Sequence, residues 1–254
     1  MLHYKTYGAG PPFVLLHGLF GMLDNWQTLA RRWAETHEVI LVDLPNHGRS
    51  PHTDRFDYPS MAEAVAELLE HLGHDQVVLL GHSMGGKVAM QAALDYPDLV
   101  DKLIVVDMTP RQYRRGHDDV FSALNALNPA ELSDRKEAAA LMATHVSDPG
   151  VQLFLLKNLT RDTKTGGYRW RMNLPVIEAG YDNLISPVGN FGDSYPGPAL
   201  FIRGSKSGYV RDNDLEYIEL LFPAAELVTI EGAGHWVHAE QPELLFEAVG
   251  QFLN

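Results

Sequence analysis

Gly81-His82-Ser83-Met84-Gly85-Gly86 follows the apolar run Val77-Val78-Leu79-Leu80 and precedes a helix-like stretch from Lys87 to Tyr96. A strand, a sharp turn and a helix with serine at the tip give G-x-S-x-G, a turn that strains the serine backbone and exposes its hydroxyl. Small residues at positions 81 and 85 let strand and helix approach this closely. The same geometry leaves the backbone N–H of Met84 aimed at a substrate oxygen beside Ser83.

A second pattern overlaps the first. Gly81, four residues, Gly86 and Lys87 match G-x-x-x-x-G-K, the phosphate-cradling loop of nucleotide hydrolases. The run Leu103-Ile104-Val105-Val106-Asp107 even resembles the apolar strand that ends in a magnesium-binding acid. That loop needs Ser or Thr after the lysine to hold the metal, and here the residue is Val88. The nucleotide reading therefore fails at a position with a chemical task. An inert tight turn is the bland alternative, and only partners elsewhere in the chain separate it from a nucleophile.

Composition sets the outer limits. A chain of 254 residues can bury one large core, and 45% hydrophobic with 21% charged residues is ordinary for a soluble globular protein. Twenty Lys plus Arg against 33 Asp plus Glu give a net charge of −13, which argues against nucleic acid or an anionic membrane as partner. With no cysteine, disulfides, thiolate zinc sites and a cysteine nucleophile are all excluded. The segment Met1 to Gly8 lacks the apolar core of a secretory signal, so a cytoplasmic location is expected.

Short apolar runs alternate with helical ones. Strands are expected at Phe13–Leu16, Val39–Val42, Val77–Leu80, Leu103–Val106, Ala199–Ile202 and Leu227–Ile230. Helices are expected near Leu23–Thr36, Ser60–Leu72, Lys87–Tyr96, Asp212–Phe222 and Pro242–Leu253. Runs apolar on both faces suit strands buried inside a parallel sheet. The alternation stops between Thr109 and Pro198, where the pattern is helical throughout. Residues 1–108 and 199–254 thus read as a core domain, with 109–198 as a helical cap inserted over the strand ends. The cap carries Arg111, Arg114, Arg115, Arg169 and Arg171. They read as a solvated helix face, with an anionic leaving group as the sharper alternative.

Acyl transfer at Ser83 needs a second N–H donor for the oxyanion and a base for the hydroxyl proton. The glycine-rich loop His17-Gly18-Leu19-Phe20-Gly21 follows an early strand and can supply the N–H of Leu19. Of 12 histidines, His235 stands in Gly232-Ala233-Gly234-His235-Trp236, between the last strand and the last helix. Those glycines let its loop fold toward Ser83. His238 invites a metal reading, but no third ligand or H-E-x-x-H frame accompanies it. His17, His82 and His47 read as structural.

The His17 loop, the Gly81 elbow and the Gly232 loop, with Asp43-Leu44-Pro45-Asn46-His47-Gly48-Arg49-Ser50, stand in the order found in the α/β-hydrolase superfamily, which the chain resembles over essentially its whole length. More narrowly, Leu23-Asp24-Asn25, Asn46-His47-Gly48, Gly81 to Lys87 and Gly234 to Glu240 resemble the bacterial YbfF-type carboxylesterases. The resemblance implies a mostly parallel sheet flanked by helices. It also implies hydrolysis of small acyl esters or thioesters without a cofactor, by a monomer or homodimer. Phe20 and Trp236, beside the Leu19 and His235 positions, are the expected substrate-binding side chains.

One departure bears on the third catalytic member. Most of the superfamily has an acid after the strand matching Ala199–Ile202, but this loop reads Arg203-Gly204-Ser205-Lys206-Ser207-Gly208, with Ser207 at the acid position. A serine cannot stabilise an imidazolium by charge. Asp212 and Asp214 fall where a helix begins and read as capping residues. Asp107 ends the preceding strand on the same sheet edge as Ser83, and YbfF-type enzymes are similar in placing the acid there. The expected triad is Ser83, His235 and Asp107, with Ser207 as auxiliary and the N–H groups of Leu19 and Met84 as oxyanion hole. An acyl-CoA thioesterase and a non-catalytic binding protein on the same scaffold are the competing readings.

Overall fold

The computed structural model describes residues 1–190 and 192–254. The first part of the core runs β1 (Tyr4–Tyr7), β2 (Pro12–Leu16), α1 (Gln27–Trp33), β3 (Glu38–Val42), α2 (Tyr58–Leu72), β4 (Val77–His82), α3 (Met84–Asp95) and β5 (Val100–Val106). An inserted segment follows, with α4 (Asp118–Ala126), α5 (Arg135–Met142), α6 (Pro149–Leu156), β6 (Leu159–Arg161), β7 (Tyr168–Trp170), α7 (Leu174–Ala179) and α8 (Tyr181–Ile185). The chain returns to the core through β8 (Ala199–Gly204), α9 (Leu215–Leu221), β9 (Ala225–Ile230), α10 (Val237–Glu240) and α11 (Pro242–Leu253).

The main sheet has the order β1-β3-β2-β4-β5-β8-β9 and is parallel except where β1 pairs antiparallel with β3. Successive residues of β2 and β3 go to opposite faces, as the two-residue period of a strand requires. Phe13, Leu15, Val39 and Leu41 pack with Leu29 and Trp33 of α1 and Leu245 and Val249 of α11. Val14, Leu16, Ile40 and Val42 pack with Met61 and Val65 of α2 and Val88 and Ala92 of α3. Both faces are covered, which is why these strands are apolar without alternation. This is the α/β-hydrolase fold.

Three features differ from the sequence expectation. The strand β1 has a half-exposed, polar sequence typical of a sheet edge, so it gives no apolar run to read. The inserted segment is not wholly helical, because β6 and β7 form a hairpin with Leu159 opposite Trp170. The turn residues Asp162 to Gly167 close it, with the Gly166 backbone at φ 75°. The helix after the elbow also starts at Met84, directly behind Ser83, rather than at Lys87.

The insertion leaves and rejoins the core between neighbouring strands β5 and β8. Its two ends are tied to each other: the Tyr113 N–H donates to the Ile185 carbonyl at 2.8 Å and the Val188 N–H to that of Pro110 at 2.8 Å. Phe121, Leu124, Met142 and Leu155 join the same apolar core as α2 and α3, so the segment is seated on the strand ends by burial.

Candidate active site

The elbow is built from close backbone approach. A Cβ added at Gly81 would stand 2.0 Å from the Gly85 carbonyl oxygen, and one at Gly85 would stand 2.5 Å from that of His17. Ser83 sits at φ 54°, ψ −119°, a conformation that costs a non-glycine residue on the order of 1–3 kcal/mol. At the end of the adjacent strand Asp107 has φ 53°. These two bends turn both side chains to the same C-terminal rim of the sheet.

There they meet His235. The Ser83 hydroxyl donates to His235 Nε2 at 2.9 Å, and His235 Nδ1–H donates to Asp107 Oδ2 at 2.7 Å. The carboxylate fixes this tautomer, since it can only accept. Asp107 is fully buried, and its Oδ1 accepts the Gly204 N–H at 3.1 Å while Oδ2 also accepts the Ser207 hydroxyl. The structure thus brings Ser83, His235, Asp107 and Ser207 together. Asp214 and Asp212 face elsewhere, Asp214 to Arg111 at 3.0 Å and Asp212 to Arg203 at 2.7 Å.

Three supports hold the His235 ring. Tyr209 stacks on it with centroids 3.8 Å apart and planes 15° apart. His82 Nε2–H donates to the His235 carbonyl at 2.8 Å. The Glu240 carboxylate accepts the N–H groups of Gly234 at 2.8 Å and Trp236 at 3.1 Å, bracing the loop from the far side. Glu240 stands in the Gly234 to Glu240 segment quoted above, where the sequence assigns it no role.

The loop after β2 lies against the serine, since a Cβ on Gly18 would meet the Ser83 Cβ at 3.2 Å. Phe20 N–H is held by His47 Nε2 at 3.1 Å, and Leu44 N–H by His17 Nε2 at 3.0 Å. The neighbouring N–H groups of Leu19 and Met84 find no acceptor among the described residues. The scaffold histidines are neutral acceptors because burial pushes His17 down to about 4 and His47 to about 3. His238 is likewise held at about 4 by burial, and it packs on the Trp26 ring at 4.7 Å.

Ser83 stands where two lobes of a cavity join. The larger, about 910 Å³, is walled by Phe20, Trp26, Val151, Phe154 and Trp236, with His235 on its floor. The smaller, about 530 Å³, is walled by Tyr58, Met84, Met108, Tyr113 and Tyr181. Leu19, His117 and Tyr209 face both. Phe20 and Trp236 therefore both line the larger lobe. Among the arginines of the insertion, Arg115 is taken up by Asp118 at 3.2 Å and Asp182 at 2.5 Å, whereas Arg111 and Arg114 line the smaller lobe.

Lys87, which the sequence offered as part of a phosphate loop, has another place. It is fully buried, its Nζ donates to the Arg111 carbonyl at 2.9 Å and to the Ser186 carbonyl, and it lies 5.0 Å from the centroid of the Tyr113 ring and 5.4 Å from that of Tyr58. One side chain on the nucleophile helix thereby grips both ends of the insertion. Burial, with Arg111 nearby, pushes its amine down to about 7.

Comparison with known proteins agrees with this architecture. The family model described as alpha/beta hydrolase fold matches residues 11–242. The chain is 39% identical to Esterase YbfF of Escherichia coli (strain K12), over 96% of this chain and 93% of that protein. It is also 39% identical to sn-1-specific diacylglycerol lipase ABHD11 of Xenopus laevis, over 100% of this chain and 84% of that one. A solved structure, "Marine microorganism esterase", superposes with a TM-score of 0.96 at 39% identity, covering 99% of this chain and 98% of that one. No helix among the described residues is long and apolar enough to cross a membrane. Fold, elbow and relatives agree, and the chain belongs to the α/β-hydrolase fold family.

Proposed function

We propose that this carboxylic ester hydrolase cleaves small or short-chain acyl esters through a covalent acyl-enzyme on Ser83. The observation that carries the proposal is the unbroken hydrogen-bonded path from Ser83 Oγ through His235 to Asp107, at 2.9 and 2.7 Å. His235 Nε2 takes the hydroxyl proton as Ser83 Oγ attacks the carbonyl carbon, and Asp107 stabilises the imidazolium that forms. The unpaired N–H groups of Leu19 and Met84 receive the oxyanion, a contribution typically worth on the order of 10²–10³ in turnover per donor. His235 then protonates the departing oxygen, and water repeats the sequence to release the acid. Residues 109–198 act in this reading as the cap that covers the reacting atoms.

A binding protein without catalysis would have no use for a base aligned on a strained serine. The test is a chromogenic butyrate ester together with a fluorophosphonate probe. Ser83→Ala should lower turnover by at least about 10⁴-fold and abolish covalent labelling while the protein stays folded. Labelling that persists in the variant would place the nucleophile elsewhere.

A further inference from the structure

We infer that the smaller lobe is the acyl site and that it takes an acyl group carrying its own carboxylate, as in a half-ester of a dicarboxylic acid. The inference rests on the ester-hydrolase reading above and names the substrate class of that same site.

The first argument is one of proton delivery. His235 Nε2 must hand its proton to the leaving oxygen, so the alcohol has to lie on the side that His235 faces. His235 lines the larger lobe and does not line the smaller one. The alcohol therefore occupies the larger lobe among Phe20, Val151, Phe154 and Trp236, and the acyl group occupies the smaller lobe beside Met84.

The second argument is the charge of the two walls. In a chain with 33 acidic and 20 basic side chains, the smaller lobe is lined by Arg111, Arg114 and Arg211 and by no Asp or Glu. Asp214 neutralises Arg111 at 3.0 Å, but Arg114 and Arg211 make no ion pair among the described residues. Across the serine no such excess exists, because Lys5 neutralises Asp24 at 2.9 Å and the larger lobe is left with Glu240 against Lys157. An anion is thus favoured on the acyl side and gains nothing on the alcohol side.

In the reaction, Ser83 Oγ bonds to the half-ester carbonyl carbon and the C–O bond to the alcohol breaks. His235 protonates the departing oxygen. Water then attacks the acyl-enzyme, Ser83 regains its proton, and the free dicarboxylate leaves with its distal carboxylate released from the arginines. An arginine that holds a part of the substrate remote from the reacting carbon binds ground state and transition state alike, so its effect belongs in KM.

Three esters decide the matter: mono-4-nitrobenzyl succinate, 4-nitrobenzyl butyrate, and the butyrate ester of 4-(hydroxymethyl)benzoate, which carries its carboxylate on the alcohol. The succinate half-ester should exceed the neutral butyrate in kcat/KM by about 10-fold, mainly through KM, as two partly exposed Arg–carboxylate contacts allow. The preference should shrink in 0.5 M salt, where the screening length is only a few ångström, about 4 Å. The benzoate ester should gain nothing over the butyrate. In the Arg114→Gln, Arg211→Gln double variant the succinate-to-butyrate ratio should fall to about one, and Arg114→Lys should retain part of it. A wild-type ratio of one or less, or a ratio the double variant does not change, overturns the inference while butyrate turnover keeps the esterase reading. Failure to hydrolyse any of the three overturns both.

Discussion

Ser207 donates its hydroxyl to the same oxygen of Asp107 that faces His235 Nδ1. Ser207, from the loop after β8, thus supports a carboxylate at the end of the neighbouring strand β5. The two residues should separate by kinetics. Asp107→Asn presents an amide to Nδ1, imposes the wrong tautomer and should cost about 10⁴ in kcat. Ser207→Ala removes one of three hydrogen bonds on the carboxylate, a loss of about 1–1.5 kcal/mol or roughly tenfold. Steady-state rates on a chromogenic ester check both. A dead Ser207→Ala beside a nearly active Asp107→Asn would sink the assignment.

The elbow tolerates no side chain at Gly81, where a Cβ would overlap the Gly85 carbonyl at 2.0 Å. The obstacle is backbone on the helix that starts the active site, so it cannot swing away as a flexible side chain would. Gly81→Ala should lower the unfolding free energy by roughly 3 kcal/mol or more. Urea denaturation measures it, and a loss below about 1 kcal/mol would mean that the turn has more room than its geometry indicates.

Lys87 gives stability a pH dependence on the alkaline side. Burial holds its amine near 7 in the folded chain against 10.5 when exposed, so between those values the unfolded chain binds the proton that the folded chain has released. Stability therefore gains from this group as pH rises from 7. A neutral amine still has two N–H donors, one each for the carbonyls of Arg111 and Ser186. The urea midpoint should rise between pH 7 and pH 9 in the wild type, and Lys87→Met should lose that rise. Equal slopes for the two proteins would show that Lys87 does not titrate in this range.

The buried histidines act on the acid side. His17 and His238 are held near 4 and His47 near 3, against 6.5 when exposed. Below pH 6.5 the unfolded chain takes up protons that these rings refuse, so stability falls as pH drops toward 4 and this contribution levels off below about 3. Each unit of depression corresponds to about 1.4 kcal/mol, so the summed loss is on the order of 10 kcal/mol. A thermal midpoint falling steeply from pH 6.5 to 4.5 is expected. Replacing His47 by Gln, which can still accept from the Phe20 N–H, should flatten the fall.

The sequence disclosed what has a local signature. Val77 to Leu80 reads as a buried strand because both its faces are apolar, and the glycines around Ser83 announce a backbone contact. Asp107 was legible as a strand-end acid only because the loop after β8 lacks one. Three features had no such signature. The β1 edge strand is short and polar, and the β6–β7 hairpin hides in a helix-rich segment. The grip of Lys87 joins positions 87, 111 and 186, a relation that exists only once β5 and β8 lie side by side. The cavity lobes are likewise made by residues brought together from distant parts of the chain, so the arginine wall of the smaller one could not be read along it.

Phe20, Asn46, Ser83 and Asp107 are the non-glycine residues with positive φ among those described, and they follow the ends of β2, β3, β4 and β5 in turn. β4 and β5 therefore end directly in a backbone conformation that glycine would adopt more easily, and the loops after β2 and β3 reach one four residues on. Selection for thermostability alone would erode this rim first, replacing Ser83 and Asp107 among others with residues that merely relax the chain. Engineering for durability should consequently work at the opposite rim, where the strands begin and the same gain in stability costs the enzyme no function.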